Sequence, residues 1–438
     1  MKKHYFILIC LVAITLSANA QKIYRPVVCG FDYYLYKQKQ NNPDGYAAFT
    51  DMYRQSKGTL SGNRDGVLTV PVVFHIVYNT DVQNLHDSVI HSQIQVLNED
   101  YRRWNADATE TRDIFLPVAA DTEIQFQLAG FDPNGNPTIG ITHTHTDRAG
   151  FEMNLFSAEN TLDEVKSTTT GGVAAWDPDR YLNIWVCMIE PSFVGQVFGM
   201  AYPPEGLANW PAQSAAPTQG ADGVIVHYTC VGRNNPAAGD DGYDDNDMGR
   251  TLTHEIGHYL GLRHIWGDEL FFNVCSQDDG ILDTPLSGLG DQNQCNHEAN
   301  TCTEPNSDDL PDMLENYMDY TKEHCYNMFT QGQKEHMRYV LQEKRPGLLT
   351  GEVLAIKEKN EPVLELALWP NPAKDMLNIS TNERNYAGYT ITNLLGKKII
   401  EGTLRNAQVD IANLSPGLYL FTLNNKDTSS TIRFVVED

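Results

Sequence analysis

His254, Glu255, His258, Gly261 and His264 stand in the order H-E-x-x-H-x-x-G-x-x-H, and these residue types at this spacing describe a metal-assisted hydrolysis. On a helix, residues four apart project from one face. His254 and His258 therefore hold one Zn²⁺ between their imidazoles, with Glu255 beside them. A helix continued to residue 264 would carry the third histidine about 15 Å along the axis at ~1.5 Å per residue, out of reach of that ion. The chain must turn, and Gly261 supplies the positive φ that ends the helix and swings His264 back. Three neutral histidines leave one position of a tetrahedral zinc for water, the arrangement of catalytic and not of structural zinc. The zinc-bound water is the nucleophile, its pKa lowered towards about 7, and Glu255 is the base that takes its proton and later returns it. Hydrolysis of peptide bonds is the reaction these parts imply.

Asn316, Tyr317, Met318, Asp319 and Tyr320 follow downstream, and two further signatures stand upstream: Gly-Gly-Val-Ala-Ala-Trp-Asp at 171–177 and Tyr-Leu-Asn-Ile-Trp-Val at 181–186. With the long histidine motif they resemble the metzincins, which carry a methionine-centred turn under the zinc, and specifically the pappalysin family of secreted metallopeptidases, over roughly residues 70 to 345. The resemblance implies that Met318 is the Met-turn residue and that Tyr320 lies near the zinc and helps to hold the tetrahedral intermediate. In family members that cut before Arg or Lys, an acidic residue follows the last of four downstream cysteines. Here that residue is Tyr326, and with Met328 and Phe329 close by it implies a more apolar specificity pocket.

Lys2 and Lys3 precede an apolar run from Tyr5 to Leu16, and Ala18, Asn19 and Ala20 form a small-x-small cleavage site, which together describe a secretory signal peptide over residues 1–20. The apolar core is too short to span a bilayer, and no later stretch qualifies as a transmembrane segment. The net charge of −25 excludes nucleic acid as a partner. Of the eight cysteines, Cys10 lies in the leader, which leaves an odd number in an oxidising compartment. Cys29 is the odd one, placed in a pro-segment over residues 21–60. A thiolate delivered from such a segment is a fourth zinc ligand that displaces the water; this resembles the cysteine switch of metzincin zymogens. Four cysteines downstream of the zinc motif permit three pairings, and the resemblance points to Cys275 with Cys302 and Cys295 with Cys325. Cys187 and Cys230, each following a strand, are expected to form a third bridge. Asp278, Asp279, Asp283 and Thr284 gather hard oxygen ligands in one tight loop, as Ca²⁺ prefers; the family's matching loop implies Asp279, the carbonyl of Leu282, and Thr284 as a structural calcium site.

These residues need a scaffold. Leu68 to Tyr78 is a β-branched run fit for a buried strand, and apolar positions 90, 94, 97 and 101 have helix spacing. Strands are expected over 124–130, 181–188, 196–202 and 223–228, then the zinc helix over about 247–260. Residues 61–348 thus read as an α/β (α+β) layer, a twisted mixed sheet with a zinc helix, followed by a loop-rich lower subdomain, which is the metzincin catalytic domain by resemblance. Residues 199–202 form the edge strand bordering the cleft. The lower part ends in a helix over about 331–344, opened by the capping box of Thr330 and Gln333. A charged linker occupies 349–365. Residues 366–438, with short alternating strands between Pro/Gly turns, suggest a small all-β sandwich that resembles the C-terminal sorting domain of the type IX secretion system. The expected protein is a secreted or surface-delivered zinc endopeptidase, made as a zymogen, with proteins or peptides as substrates and the outer-membrane secretion machinery as partner. The alternative is a surface adhesin that keeps zinc as structure only. Glu255 separates the two, since a structural site needs no base.

Overall fold

Strand β2 (Leu68–Tyr78) is buried along nearly its whole length, as a parallel strand covered on both faces requires. One side of it pairs in parallel with β5 (Leu182–Cys187) from Val72 to Ile76. On its other side β3 (Ile124–Leu128) takes residues 68–72 and β4 (Ile141–His145) takes residues 74–78, both parallel. Pro71, which brings no N–H, falls before the β5 pairing begins. Beyond β5 lies β8 (Val224–His227), again parallel, and then β7 (Gly199–Ala201), the one antiparallel member and the edge of this six-stranded sheet. In this computed structural model the described residues are 27–44, 47, 66–154, 160–191, 195–204, 215–239, 246–267, 275, 278–288, 295–304, 309–354, 366–381, 388–393, 397–404, 407–424 and 429–437. The expected leader, most of 45–65, and residues 355–365 of the expected linker lie outside them.

Helix α2 (Asp87–Tyr101) buries Val89, Ile90, Gln93, Val96, Leu97, Asp100 and Tyr101 on the face it turns to the protein. Helix α3 (Arg250–Tyr259) packs against α2, β7 and β8, so the zinc-motif helix is clamped between a long helix and the sheet edge. The described residues between 278 and 330 are loop-rich and closed by the disulfides Cys275–Cys302 and Cys295–Cys325, with an apolar floor from Met313, Leu314, Tyr317 and Met318. Helix α4 (Gln331–Tyr339) opens on the reciprocal capping box of Thr330 and Gln333, and a π-helical turn over Val340–Lys344 continues it. The chain divides into two compact units, one up to Ile356 and one from Lys357.

Residues 21–60 are polar and tyrosine-rich without helical periodicity, yet Gly30–Asn41 forms helix α1, preceded by a short strand β1 (Val27–Val28) that pairs in parallel with β6 (Gln196–Val197). Its sequence has no 3–4 apolar repeat, and the helix is fixed instead by tertiary contacts of its first turn, where Phe31 and Asp32 are buried. Cys187 and Cys230 do not form a disulfide. In the β5–β8 register Cys187 stands opposite His227, and Cys230 lies beyond it in the single turn Tyr228–Cys230, so the two thiols are out of step.

The second unit is two small antiparallel sheets. One orders β9 (Leu366–Trp369), β10 (Met376–Thr381) and β13 (Gln408–Asp410); the other orders β12 (Lys398–Gly402), β11 (Gly388–Asn393), β14 (Gly417–Asn424) and β15 (Ser429–Val436). Leu377, Ile379, Ile391, Val409, Phe421 and Phe434 make one core of its own. Among the described residues, no helix is long and apolar enough to cross a membrane.

Candidate active site and metal centre

The geometry begins with how α3 ends. Gly261 has φ +88°; its N–H donates to the carbonyl of His258 at 2.8 Å and that of Leu262 to the carbonyl of Gly257 at 2.9 Å. This is the Schellman pair of bonds. The reversal brings His264 Nε2 to 3.1 Å from the Nε2 atoms of both His254 and His258, which are themselves 3.0 Å apart.

The other ring nitrogens fix the tautomers. His254 Nδ1 donates to the Tyr317 carbonyl at 2.7 Å and His258 Nδ1 to the Leu262 carbonyl at 2.9 Å; carbonyls only accept, so each Nδ1 carries the hydrogen and each Nε2 is a bare lone pair. His264 Nδ1 lies 2.5 Å from Asp32 Oδ1. Burial pushes His254 down to about 3, helped by the neighbouring His264, and burial also holds His258 well below its usual value. His254 and His258 thus aim two bare lone pairs at one point, and His264 Nε2 is brought to the same point, an arrangement that one cation would hold together. The donor set and the outer hydrogen bonds fit zinc.

Glu255 is buried beside them, and burial pushes its carboxyl up to about 8, with a lowering hydrogen bond from Cys29 and a raising charge from Asp32. It packs against the sheet edge so closely that a Cβ on Gly199 would lie 2.5–2.7 Å from its Cγ, Cδ and Oε1. Met318 is fully buried under the helix, and a Cβ on Gly257 would sit 2.4 Å from its sulfur. Glycine is required at both places by the approach itself. The Met318 turn is held by Asn316, whose Oδ1 accepts from Met318 N–H at 2.9 Å and whose amide exchanges two hydrogen bonds with Gln333. The capping-box glutamine of α4 therefore anchors the turn that lies under the histidines.

Cys29 enters this centre from β1. Its Sγ and the ligand nitrogens of His254, His258 and His264 all lie within 4.8 Å of one another, and the sulfur sits 3.3 Å from Glu255 Oε1. Burial, then the charges of Glu255 and Asp32, hold the thiol well above its ordinary value, so a thiolate here requires a cation beside it. Tyr320 donates its hydroxyl to Asp32 Oδ2 and receives the Cys29 N–H, both at 2.8 Å.

The remaining sequence candidates lie apart from this cluster. Asp279 is buried; its Oδ1 accepts from Ile281 N–H at 2.8 Å and from Thr284 Oγ1 at 2.9 Å, whereas the buried Oδ2 has no hydrogen-bond partner. Burial and then Asp278 raise this carboxyl well above its usual value. Leu282 is 87% exposed at the loop tip. Tyr326 is buried, its hydroxyl donating to the Asp319 carbonyl at 2.6 Å. Cys295, Cys325 and His324 also lie close together, but the two sulfurs are joined in a disulfide.

Three residues of the site were not singled out from the sequence: Asp32, Gly199 and Arg250. Arg250, at the first turn of α3, is 1% exposed and grips Asp107 with both terminal nitrogens at 2.6 and 2.8 Å. It also donates to the carbonyls of Glu323 and Tyr326. A buried cation one residue after a glycine cap is the only local sign of this, and its partners are far off in the chain.

Comparison with known proteins gives a consistent picture. The family model described as pregnancy-associated plasma protein-A, of the M43 peptidases, matches residues 167–342, and a secretion system C-terminal sorting domain matches residues 367–437. An extracellular metalloprotease of Arthroderma benhamiae is 24% identical over 283 residues, 64% of this chain and 74% of the relative. One of Pyricularia oryzae is 26% identical, covering 67% and 81%. Among solved structures, Tannerella forsythia mature mirolysin in complex with a cleaved peptide is 40% identical, with a TM-score of 0.55 over 66% of this chain and 97% of that one. A Tannerella forsythia promirolysin mutant is 38% identical, with a TM-score of 0.62 over 74% and 97%.

Proposed function

The chain belongs to the pappalysin (M43) family of metalloproteases and is secreted by way of its C-terminal sorting domain, and from that premise we propose that it is a zinc endopeptidase made as a zymogen, with Glu255 as its base. The observation that carries this reading is the triangle of Nε2 atoms, 3.0–3.1 Å on a side, with the buried Glu255 side chain against it and a sulfur closing it. When bound by His254, His258 and His264, zinc supplies a Lewis acid that lowers the pKa of water and polarises a carbonyl.

The chain's own groups do the rest. Once the pro-segment has left, the edge of β7 opposite its pairing with β8 accepts an extended peptide by strand addition. Glu255 takes a proton from the attacking water as the new C–O bond forms. It delivers that proton to the amide nitrogen as the C–N bond breaks, leaving a carboxylic acid and an amine. Tyr320 donates its hydroxyl to the oxygen on which negative charge develops. Tyr326 brings no charge to the specificity pocket, so cleavage is expected before apolar more than before basic residues. Digestion of a mixed peptide library by the activated protein tests both statements: internal cuts without Arg or Lys enrichment after them are expected, strong basic enrichment overturns the pocket reading, and no cuts at all overturn the enzyme.

Gly199 has a consequence for this mechanism. Gly199→Ala forces Glu255 aside, and a displacement of about 1 Å in a catalytic group costs on the order of 10²-fold in rate. A fall in kcat with zinc content unchanged is the expected result.

Residues 21–60 act as the pro-segment, and Cys29 as the ligand that keeps the precursor silent; the likeness to promirolysin supports this. Cys29→Ala raises the activity of the unprocessed precursor about tenfold or more, because a larger fraction of molecules has an open centre. A variant precursor as inactive as the parent contradicts it.

Calcium is proposed at Asp279, the Leu282 carbonyl and Thr284, where it satisfies the unpartnered Oδ2. At a calcium concentration of 100 times its Kd the native state gains about 2.7 kcal/mol. Calcium should therefore raise the melting temperature of the parent and not that of Asp279→Ala.

A further inference from the structure

One ionisable side chain reaches the centre that neither the hydrolytic chemistry nor the thiol block uses. Asp32, in the first turn of α1, is 3% exposed. Its two oxygens serve two different groups: Oδ1 lies 2.5 Å from His264 Nδ1, and Oδ2 accepts the Tyr320 hydroxyl at 2.8 Å. Phe31, beside it, stacks on the His258 ring at 3.9 Å and 16°.

The three histidines are thus not held alike. The outer hydrogen-bond partners of His254 and His258 are main-chain carbonyls of Tyr317 and Leu262, which remain whatever happens to the pro-segment. His264 Nδ1 instead faces a carboxylate oxygen at ion-pair distance, outside ordinary hydrogen-bond geometry, and that carboxylate lies on the segment that leaves. A carboxylate behind a ligating imidazole fixes its tautomer and raises its basicity. It also brings negative charge to a buried centre that would hold a dication.

We propose that Asp32 is the outer carboxylate of the precursor's metal centre, a positioning residue that orients His264 and holds the Tyr320 hydroxyl. It rests on the reading of residues 21–60 as a removable pro-segment. The precursor then binds zinc more tightly than the activated enzyme, by a margin beyond that due to Cys29. Metal is captured while the pro-segment is docked. Its release frees the Tyr320 hydroxyl and loosens His264 in the same event.

The test uses full-length precursors: parent, Asp32→Asn, Cys29→Ala and the double variant, each titrated with a metallochromic zinc chelator. Asp32→Asn keeps the size of the side chain and removes its charge. Loss of outer-shell partners of this kind costs about 10- to 100-fold in metal affinity, and that loss is expected with Cys29 present and with Ala in its place. Retention of zinc within about twofold of the matched parent in both backgrounds overturns the proposal. Zinc loss accompanied by undocking, seen as new protease cuts within residues 27–44, overturns it too. Once cut near residue 60, the parent and Asp32→Asn give the same polypeptide, so equal zinc affinity after activation assigns the difference to the precursor. If Cys29→Ala alone changes nothing while Asp32→Asn weakens zinc, the thiol block fails and this inference stands.

Discussion

Activated Glu255→Ala protein, freed of its pro-segment by the same added protease as the parent, will keep its zinc and lose about 10²- to 10⁴-fold in kcat, the contribution of a positioned general base. Glu255 holds none of the three ligand positions and makes its close contacts with Cys29 and with the backbone of Gly199. Its removal should therefore spare the metal, which His254, His258 and His264 hold, the first two oriented by the main-chain carbonyls of Tyr317 and Leu262. Paired zinc analysis and peptide cleavage check this. Loss of zinc along with activity would mean that Glu255 is part of the metal shell, and retained activity would mean that another group takes the proton.

Arg250→Ala is expected to be the most destabilising single change in the catalytic unit. The guanidinium ties three parts of the chain together: Asp100 at the end of α2, Asp107 in the turn that follows, and the carbonyls of Glu323 and Tyr326 in the lower loops. Asp100 is fully buried and receives hydroxyls from Thr253 and Tyr317, each at 2.8 Å. Burial raises its pKa, and Arg250 is the first influence that opposes that rise. Removing the cation leaves buried negative charge without a partner, a loss of about 3–5 kcal/mol. The unfolding midpoint in urea reports it. A shift worth less than about 1 kcal/mol would show that the buried carboxylates are already neutral.

The zinc helix and its turn were legible because everything that determines them is local. Two histidines four apart share a helix face, and a glycine three residues on must reverse the chain; the Schellman bonds at Gly261 and Leu262 realise that reversal. The capping box at Thr330 and Gln333 was legible for the same reason, although its second use, the grip of Gln333 on Asn316, was not. The strand Leu68–Tyr78 was readable as a buried run, since parallel pairing on both sides leaves no solvent face to mark with polar residues.

What the sequence hid depends on contacts between distant segments. Helix α1 has no apolar period of its own, and the residues that fix it, Phe31 and Asp32, do so by touching His258, His264 and Tyr320. Gly199 reads as a small residue in an edge strand until Glu255 is seen to fill the space a Cβ would take. The bridge expected between Cys187 and Cys230 failed on register, which is set by how β5 and β8 align and not by either strand's own sequence. Local spacing specified the metal ligands; the partners that orient and silence them come from the fold.

The most direct test of the central claim is to strip the activated protein with a chelator and titrate zinc back while following cleavage of a denatured protein. Activity that is absent in the stripped form and rises to a break at one zinc per chain is the predicted result. Full activity in the stripped protein, or zinc restored to one per chain with no cleavage, would contradict it.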